Sequence, residues 1–253
     1  MTKLVKICGL KSTEAAAKAI DTGADLLGFI LVPNRARTID NETASAITAR
    51  ARQTRIDRKR KIQSMKQLNQ HIKGLQATDP VDYYEQVAQL IIENGPFTVG
   101  VFRNQHLDEV YKTALALEID FIQLHGSENK LEYLERNSEG NYGLINRYVV
   151  PTEAETLAQH VHKFTQEKEL VIPLLDSEAG GEGKVIDWEF VNKMTFGKFI
   201  MAGGLTPSNL EAAGAVKNVL GYDVSGGVET DGVKDLTKIE QFIVTAKGSA
   251  TGV

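Results

Sequence analysis

The chain has a single cysteine, Cys8, among 253 residues. One thiol cannot close an internal disulfide or build a multi-cysteine metal site, so a reducing compartment is expected, with cytoplasm the default. Long apolar runs are missing as well. The longest, at 26–32, is far short of the roughly 20 residues that span a bilayer. The N-terminal MTKLVKICGL has no apolar stretch of signal-peptide length. A soluble protein with no membrane association is expected. There is no excess of positive charge either: 29 Lys and Arg stand against 33 Asp and Glu, a formal charge of -4. General attraction to nucleic acid or anionic lipid is thereby excluded, and any bound anion must be held locally. What is present, 42% hydrophobic and 25% charged residues, lies away from the disordered corner of composition, so a sizeable core is expected.

The length suits one α/β barrel of about 250 residues, or two small domains. Short β-branched or Leu-rich runs alternate with longer polar stretches of helical spacing, the pattern of repeated βα units on a parallel sheet. The runs fall at 4–8, 26–31, 98–102, 121–124, 144–150, 170–175, 199–201 and 219–224. Most are followed at once by Gly, Pro, Asn, Asp or Ser, then by a helical stretch such as 12–22, 106–118, 152–164 or 235–247. Eight repeats predict a single (β/α)8 TIM barrel spanning 1–253. A doubly wound open sheet also alternates strand and helix, but usually with fewer strands and a Gly-rich loop after the first, where this chain has Cys8-Gly9-Leu10.

Residues 40–96 exceed what one barrel helix and two loops require. Within them, 50–73 hold nine Lys or Arg against one Asp, and Ile62, Met65, Leu68, Ile72 and Leu75 recur at three- and four-residue steps. That spacing predicts an extended basic helical insertion between the second and third strands. It reads either as a solvated excursion packed on the barrel's outside or as a docking face for nucleic acid or an acidic partner. The acidic balance of the whole chain favours the first, so nucleic acid is not expected as a partner. Residues 248–253 read as a frayed tail.

In such a barrel the C-terminal strand ends open onto one face, where residues distant in sequence converge. Cys8 closes the first strand, and Lys6 faces the same side two residues earlier, where its charge favours the thiolate. By residue type alone a lone Cys is a small buried hydrophobe. Asp176 ends a strongly apolar run and reads either as a turn-starting carboxylate or as a desolvated general acid. Gly203-Gly204 and Ser225-Gly226-Gly227 follow the last two strands, where backbone N–H groups can close on a phosphate, although a turn needing positive φ explains either pair alone. Arg37, like Arg35, either pairs with a substrate carboxylate or is an exposed loop charge. Gln123 and His125 end the fourth strand, with ligand contact and a structural role both open. His160 and His162 sit on different faces of one helix and suggest no metal site. Closure makes the eighth and first strands neighbours, so Lys6 and Asp223 are expected to form a buried ion pair beneath the site.

These motifs resemble the phosphoribosylanthranilate isomerase family of tryptophan biosynthesis over nearly the whole chain. The likeness runs through Val5-Lys6-Ile7-Cys8-Gly9, Arg37, Gln123-Leu124-His125-Gly126, Leu175-Asp176-Ser177, Gly180-Gly181, Ala202-Gly203-Gly204-Leu205-Thr206 and Asp223-Val224-Ser225-Gly226-Gly227-Val228-Glu229, continuing to Gly232-Val233-Lys234-Asp235. Residues 33–38 and 179–183 look most like fungal members. The resemblance implies an Amadori rearrangement of N-(5'-phosphoribosyl)anthranilate to 1-(2-carboxyphenylamino)-1-deoxyribulose 5-phosphate, without cofactor or metal. It implies Asp176 as general acid, Cys8 as general base and Arg37 on the anthranilate carboxylate. Gly203, Gly204, Ser225, Gly226 and Gly227 would lie around the phosphate, and Gln123 and His125 in the substrate site. A small phosphorylated substrate and a monomer are expected. Glu182 departs from the Thr or Ser of many relatives, and the basic insertion has no counterpart in the minimal family pattern. Other phosphate-binding barrels, indole-glycerol-phosphate synthase and the tryptophan synthase α subunit, are the alternative enzymes; an inactive interaction module is the alternative of another class.

Overall fold

The computed structural model describes residues 2–177 and 186–248. Eight parallel strands close into a barrel in chain order: β1 (Leu4–Ile7), β2 (Leu26–Ile30), β3 (Phe97–Phe102), β4 (Phe121–Leu124), β5 (Gly143–Val149), β6 (Val171–Asp176), β7 (Phe199–Met201) and β8 (Val219–Val224). Each expected run is a strand, with ends shifted by a residue at most. Such strands are covered by helices outside and side chains inside, so they read as continuous apolar runs.

The helices are α1 (Thr13–Thr22), α2 (Asn41–Asp57), α3 (Met65–Lys73), α4 (Pro80–Asn94), α5 (Leu107–Ala116), α6 (Lys130–Arg136), α7 (Ala154–Gln166), α8 (Trp188–Lys193), α9 (Leu210–Ala213) and α10 (Leu236–Gly248). A two-residue hairpin strand pair, β9 (Glu229–Thr230) and β10 (Val233–Lys234), lies between β8 and α10. Among the described residues no helix is long and apolar enough to cross a membrane. Of the frayed tail expected at 248–253, Gly248 instead ends α10 and the rest lies outside the described residues, as do Gly180-Gly181 and Glu182.

Register decides which side chains enter the barrel. Lys6 pairs with Asp223, Val101 with Gln123, Arg147 with Leu174 and Val149 with Asp176. Register partners share a face, and side chains alternate along each strand. Cys8, Gln123, His125, Arg147, Asp176, Asp223 and Ser225 are therefore all set on the inner face towards the C-terminal strand ends.

The insertion is built differently from the expectation. Three helices, α2 to α4, occupy the stretch between β2 and β3. The helical period of the hydrophobic residues is realised only over Met65–Lys73, with Ile62 and Leu75 outside it. Most cations of the basic segment are exposed, as a solvated excursion on the barrel's outside requires, but several are engaged with the barrel. Arg55 is 1% exposed and grips Asp120 with both terminal nitrogens, at 3.0 and 3.2 Å. Arg58 donates to the Ile20 carbonyl and Arg60 to the Gly95 carbonyl. Arg52 reaches Glu118, and Lys73 reaches Glu169. All these acceptors lie in the last turn of a helix or in the loop leading into the next strand, at the face opposite the strand C-termini. These cations fasten the closed end of the barrel, and Arg52, Arg55 and Lys73 are matched there by carboxylates.

Candidate active site

The first strand carries Lys6, wholly buried, with Nζ 2.8 Å from Asp223 Oδ1. The expected ion pair is present, produced by β1 and β8 closing the sheet. Burial works against the Lys6 ammonium, but Asp223 and the neighbouring thiol outweigh it and hold its pKa above the ordinary value. Cys8 lies directly above, 6% exposed. Burial pushes its thiol up; Lys6 pulls it down, and Asp223 pushes it up again. The net direction is upward, so Lys6 favours the thiolate as expected but does not prevail, because burial is the largest influence and Asp223 opposes Lys6.

Gly28 makes room for this pair. A Cβ there would stand 2.9 Å from Cys8 Sγ and 3.0 Å from Lys6 Nζ. Gly28→Ala is expected to displace the thiol and lower kcat by about tenfold to a hundredfold, since small misplacements of reacting groups carry penalties of that order. Steady-state turnover, with a thermal melt to show the fold persists, checks this; an unchanged kcat would free Cys8 of any need for that position.

On the far side of the lumen, Asp176 is 2% exposed. Arg147 Nε lies 3.0 Å from its Oδ2 and Arg147 Nη2 donates to the Ser177 carbonyl. The Ser177 N–H donates to Asp176 Oδ1. Burial pushes the carboxyl upward, and Arg147 and the Ser177 amide hold that rise in check. His125 Nε2 stands 3.7 Å from Asp176. Burial, with Arg147 and Lys6 nearby, drives the imidazole down to about 3, so at neutral pH it is an uncharged hydrogen-bonding group. Gln123 lies beneath, 1% exposed, its Nε2 3.3 Å from His125 Nδ1 and its carbonyl oxygen without a partner among the described residues. Strand register turns Cys8, Asp176 and Asp223 alike towards the lumen at the C-terminal strand ends, and Asp223 acts electrostatically on both the thiol and the carboxyl.

The loops after β7 and β8 meet at the same end of the barrel. A Cβ on Gly227 would overlap the Leu205 carbonyl oxygen, so only glycine lets these backbones touch. Gly203 and Gly204 have φ of 83° and 66°, so the turn itself requires them. Asn209 braces the first loop, accepting from Thr206 N and donating to the Gly204 carbonyl. Among the described residues the N–H groups of Gly203, Gly204, Gly226 and Gly227 have no acceptor and the buried Ser225 hydroxyl has no partner. Converging free donors of this kind suit an anion.

Arg37 is neither free nor simply exposed. Its Nε and Nη2 both donate to Glu229, at 2.8 Å each, and Lys234 Nζ reaches the same carboxylate at 2.6 Å. Arg35 is not brought to the site by any recorded contact and stays on the exposed loop. Three polar neighbours escaped the sequence reading: Arg147, Glu229 and Lys234. An Arg inside an otherwise apolar strand is a buried charge that demands a partner. Asp231-Gly232 is a hairpin-turn dipeptide, and it sets Glu229 opposite Lys234. Both signals were present in the sequence.

Fold and mouth together define a (β/α)8 barrel with unpaired glycine N–H groups beside a buried thiol and a buried carboxyl. The chain belongs to the N-(5'-phosphoribosyl)anthranilate isomerase family, whose model matches residues 51–245. It is 55% identical over 241 residues to the N-(5'-phosphoribosyl)anthranilate isomerase of Candida albicans, covering 95% of this chain and 96% of that one. The enzyme of the same name from Saccharomyces cerevisiae is 39% identical over 255 residues, covering 96% and 94% of the two chains. Among solved structures, phosphoribosyl anthranilate isomerase from Thermotoga maritima superposes with a TM-score of 0.70 at 27% identity, over 98% of this chain and 100% of that one. A phosphoribosyl anthranilate isomerase in complex with reduced 1-(o-carboxyphenylamino)-1-deoxyribulose 5-phosphate gives 0.67 at 26% identity, with the same coverage. The fungal character expected from the loop sequences accords with the yeast relatives.

Proposed function

We propose that this chain isomerises N-(5'-phosphoribosyl)anthranilate to 1-(2-carboxyphenylamino)-1-deoxyribulose 5-phosphate in tryptophan biosynthesis, by general acid and base catalysis at the barrel mouth. The observation that carries the mechanism is the placing of Cys8 and Asp176 on the inner face at the C-terminal strand ends, with the free glycine amides alongside. Asp176 gives its proton to the ribose ring oxygen as the C1'–O bond breaks, and the nitrogen lone pair forms the C1' iminium. Cys8 thiolate then takes the C2' proton. The C–H electrons form the C1'–C2' double bond and quench the iminium charge, and tautomerisation yields the aminoketose. The iminium acidifies C2', so a modest base suffices, and each positioned proton transfer contributes about a hundredfold or more. Arg37 receives the anthranilate carboxylate. The loops around Gly203, Gly204, Ser225, Gly226 and Gly227 receive the phosphate, and His125, supported by Gln123, hydrogen-bonds the bound sugar as a neutral ring.

The pH dependence follows from the two shifts. Both the carboxyl and the thiol are raised by burial, but the carboxyl starts near 3.8 and the thiol near 9.0, and Arg147 restrains the former. The carboxyl therefore loses its proton first. Between the two ionisations the pair holds one proton, mostly on sulfur, while the working form holds it on Asp176. Both arrangements carry the same proton count, so their ratio is independent of pH. Activity falls as pH drops through the carboxyl's ionisation, where both groups are protonated. It falls again as pH rises through the thiol's, where neither is. The acid limb of kcat/KM thus belongs to Asp176 and the alkaline limb to Cys8. Following loss of phosphoribosylanthranilate fluorescence across pH tests both activity and assignment: no turnover refutes the function, and a Cys8→Ser variant whose residual activity still falls through the parent's alkaline ionisation refutes the assignment.

A further inference from the structure

The hairpin after the β8 loop has no part in the chemistry above, yet its side chains are buried at the site. Asp231 and Gly232 both take positive φ, 51° and 76°, which turns the chain in two residues and pairs Lys234 with Glu229 across the ladder. The Glu229 carboxylate and the Lys234 ammonium are 8% and 5% exposed. Glu229 accepts two bonds from Arg37 and one from Lys234. Lys234 also donates to the Ser225 carbonyl at 2.9 Å, in the loop that carries the free amides. The cluster lies against the residue after the thiol: a Cβ on Gly9 would be 2.7 Å from Ser225 Oγ, 3.1 Å from Arg37 Cδ and 3.4 Å from Lys234 Nζ.

Two cations share one carboxylate, so the group keeps one net positive charge. Burial works against Glu229, but the bonds from Arg37 and Lys234 hold it below its ordinary value, and it stays ionised. The bidentate contact uses the Nε–Nη2 edge of the guanidinium. The end-on edge, Nη1 with the second Nη2 hydrogen, has no partner among the described residues. A planar fork held by one edge presents the other in a fixed direction.

We propose that Glu229 and Lys234 are positioning residues for substrate binding. They lock Arg37 by one edge so that its other edge meets the substrate's aromatic carboxylate in register with the anion held at the Ser225 loop. The proposal rests on the reading of Arg37 as the carboxylate ligand. Without the clamp, Arg37 must be ordered at the moment of binding, and the affinity gained from its bond is reduced.

The test is a double-mutant cycle on KM and kcat with phosphoribosylanthranilate, using Glu229→Gln, Arg37→Met and the pair, each checked by thermal melting. Glu229→Gln is expected to raise KM by about tenfold or more with kcat changed less than about threefold, the signature of binding shared by ground and transition states. In the Arg37→Met background it is expected to raise KM no further. An unchanged KM in Glu229→Gln, or a full additional rise in the Arg37→Met background, overturns the clamp. An unchanged KM in Arg37→Met instead overturns the carboxylate role of Arg37, whatever Glu229→Gln does.

Discussion

Cys8→Ser and Asp176→Asn are each expected to lower kcat by about two orders of magnitude or more while the barrel stays folded. A serine hydroxyl in the place of the thiol is too weak an acid to ionise at any working pH, so the C2' proton loses its acceptor. An asparagine amide keeps the shape of Asp176 and still offers an oxygen to Arg147, which now lies 3.0 Å from the carboxylate, but it has no proton to give the ring oxygen. Cys8→Ser orphans no buried charge, since Lys6 retains Asp223, so its melting temperature is expected to change little. Asp176→Asn takes the anionic partner from Arg147 but leaves that side chain the amide oxygen and the Ser177 carbonyl, so it is expected to melt lower while its circular dichroism shows the fold retained. Because the two groups act on successive proton transfers of one reaction, the double variant is expected to lose less than the product of the single losses. Turnover within about threefold of the parent in either single variant would remove that residue from the proton path.

The parts legible in the sequence were those in which one residue's environment is set by strand alternation and closure. Lys6 and Asp223 are such a case: each lies on the inner face of its strand, and a closed barrel makes the first and last strands neighbours, so their contact at 2.8 Å follows from topology alone. Cys8 and Asp176 were legible as strand ends for the same reason. Arg37 was legible only in part. Its place after β2 was visible, but its partner Glu229 comes from a hairpin 192 positions away, and nothing along the chain links the two. The thiol's net shift was harder still, because burial and Asp223 oppose Lys6 there and their balance depends on depth of burial. The basic insertion was legible as a solvated face, and most of its cations are exposed, but only the tertiary location of Asp120, Gly95 and Ile20 makes Arg55, Arg60 and Arg58 internal fastenings.

That fastening carries the largest expected effect on stability. Arg55 donates to Asp120 and to the Pro96 carbonyl, and its guanidinium lies 4.8 Å from the centre of the Phe97 ring. Asp120 also accepts from the Thr98 amide and hydroxyl, so it ties the beginning of β3 to the beginning of β4. Arg55→Met keeps much of the apolar stem but leaves the Asp120 carboxylate buried without its cation, and removing one partner of a buried pair destabilises by about 3–5 kcal/mol. In a chain of this size that lowers the melting temperature by roughly 10 °C. Arg52→Met, which breaks an exposed pair with Glu118, is expected to change stability by less than about 1 kcal/mol. Adding Asp120→Asn to Arg55→Met removes the orphaned charge and is expected to restore part of the loss. Because the pair sits at the opposite end of the barrel from Cys8 and Asp176, kcat at low temperature is expected to stay at the parent value. Urea unfolding of the four proteins decides the matter: a loss below about 1 kcal/mol in Arg55→Met would mean that the closed end of the barrel is held by its apolar packing alone, with the arginine cluster incidental to it.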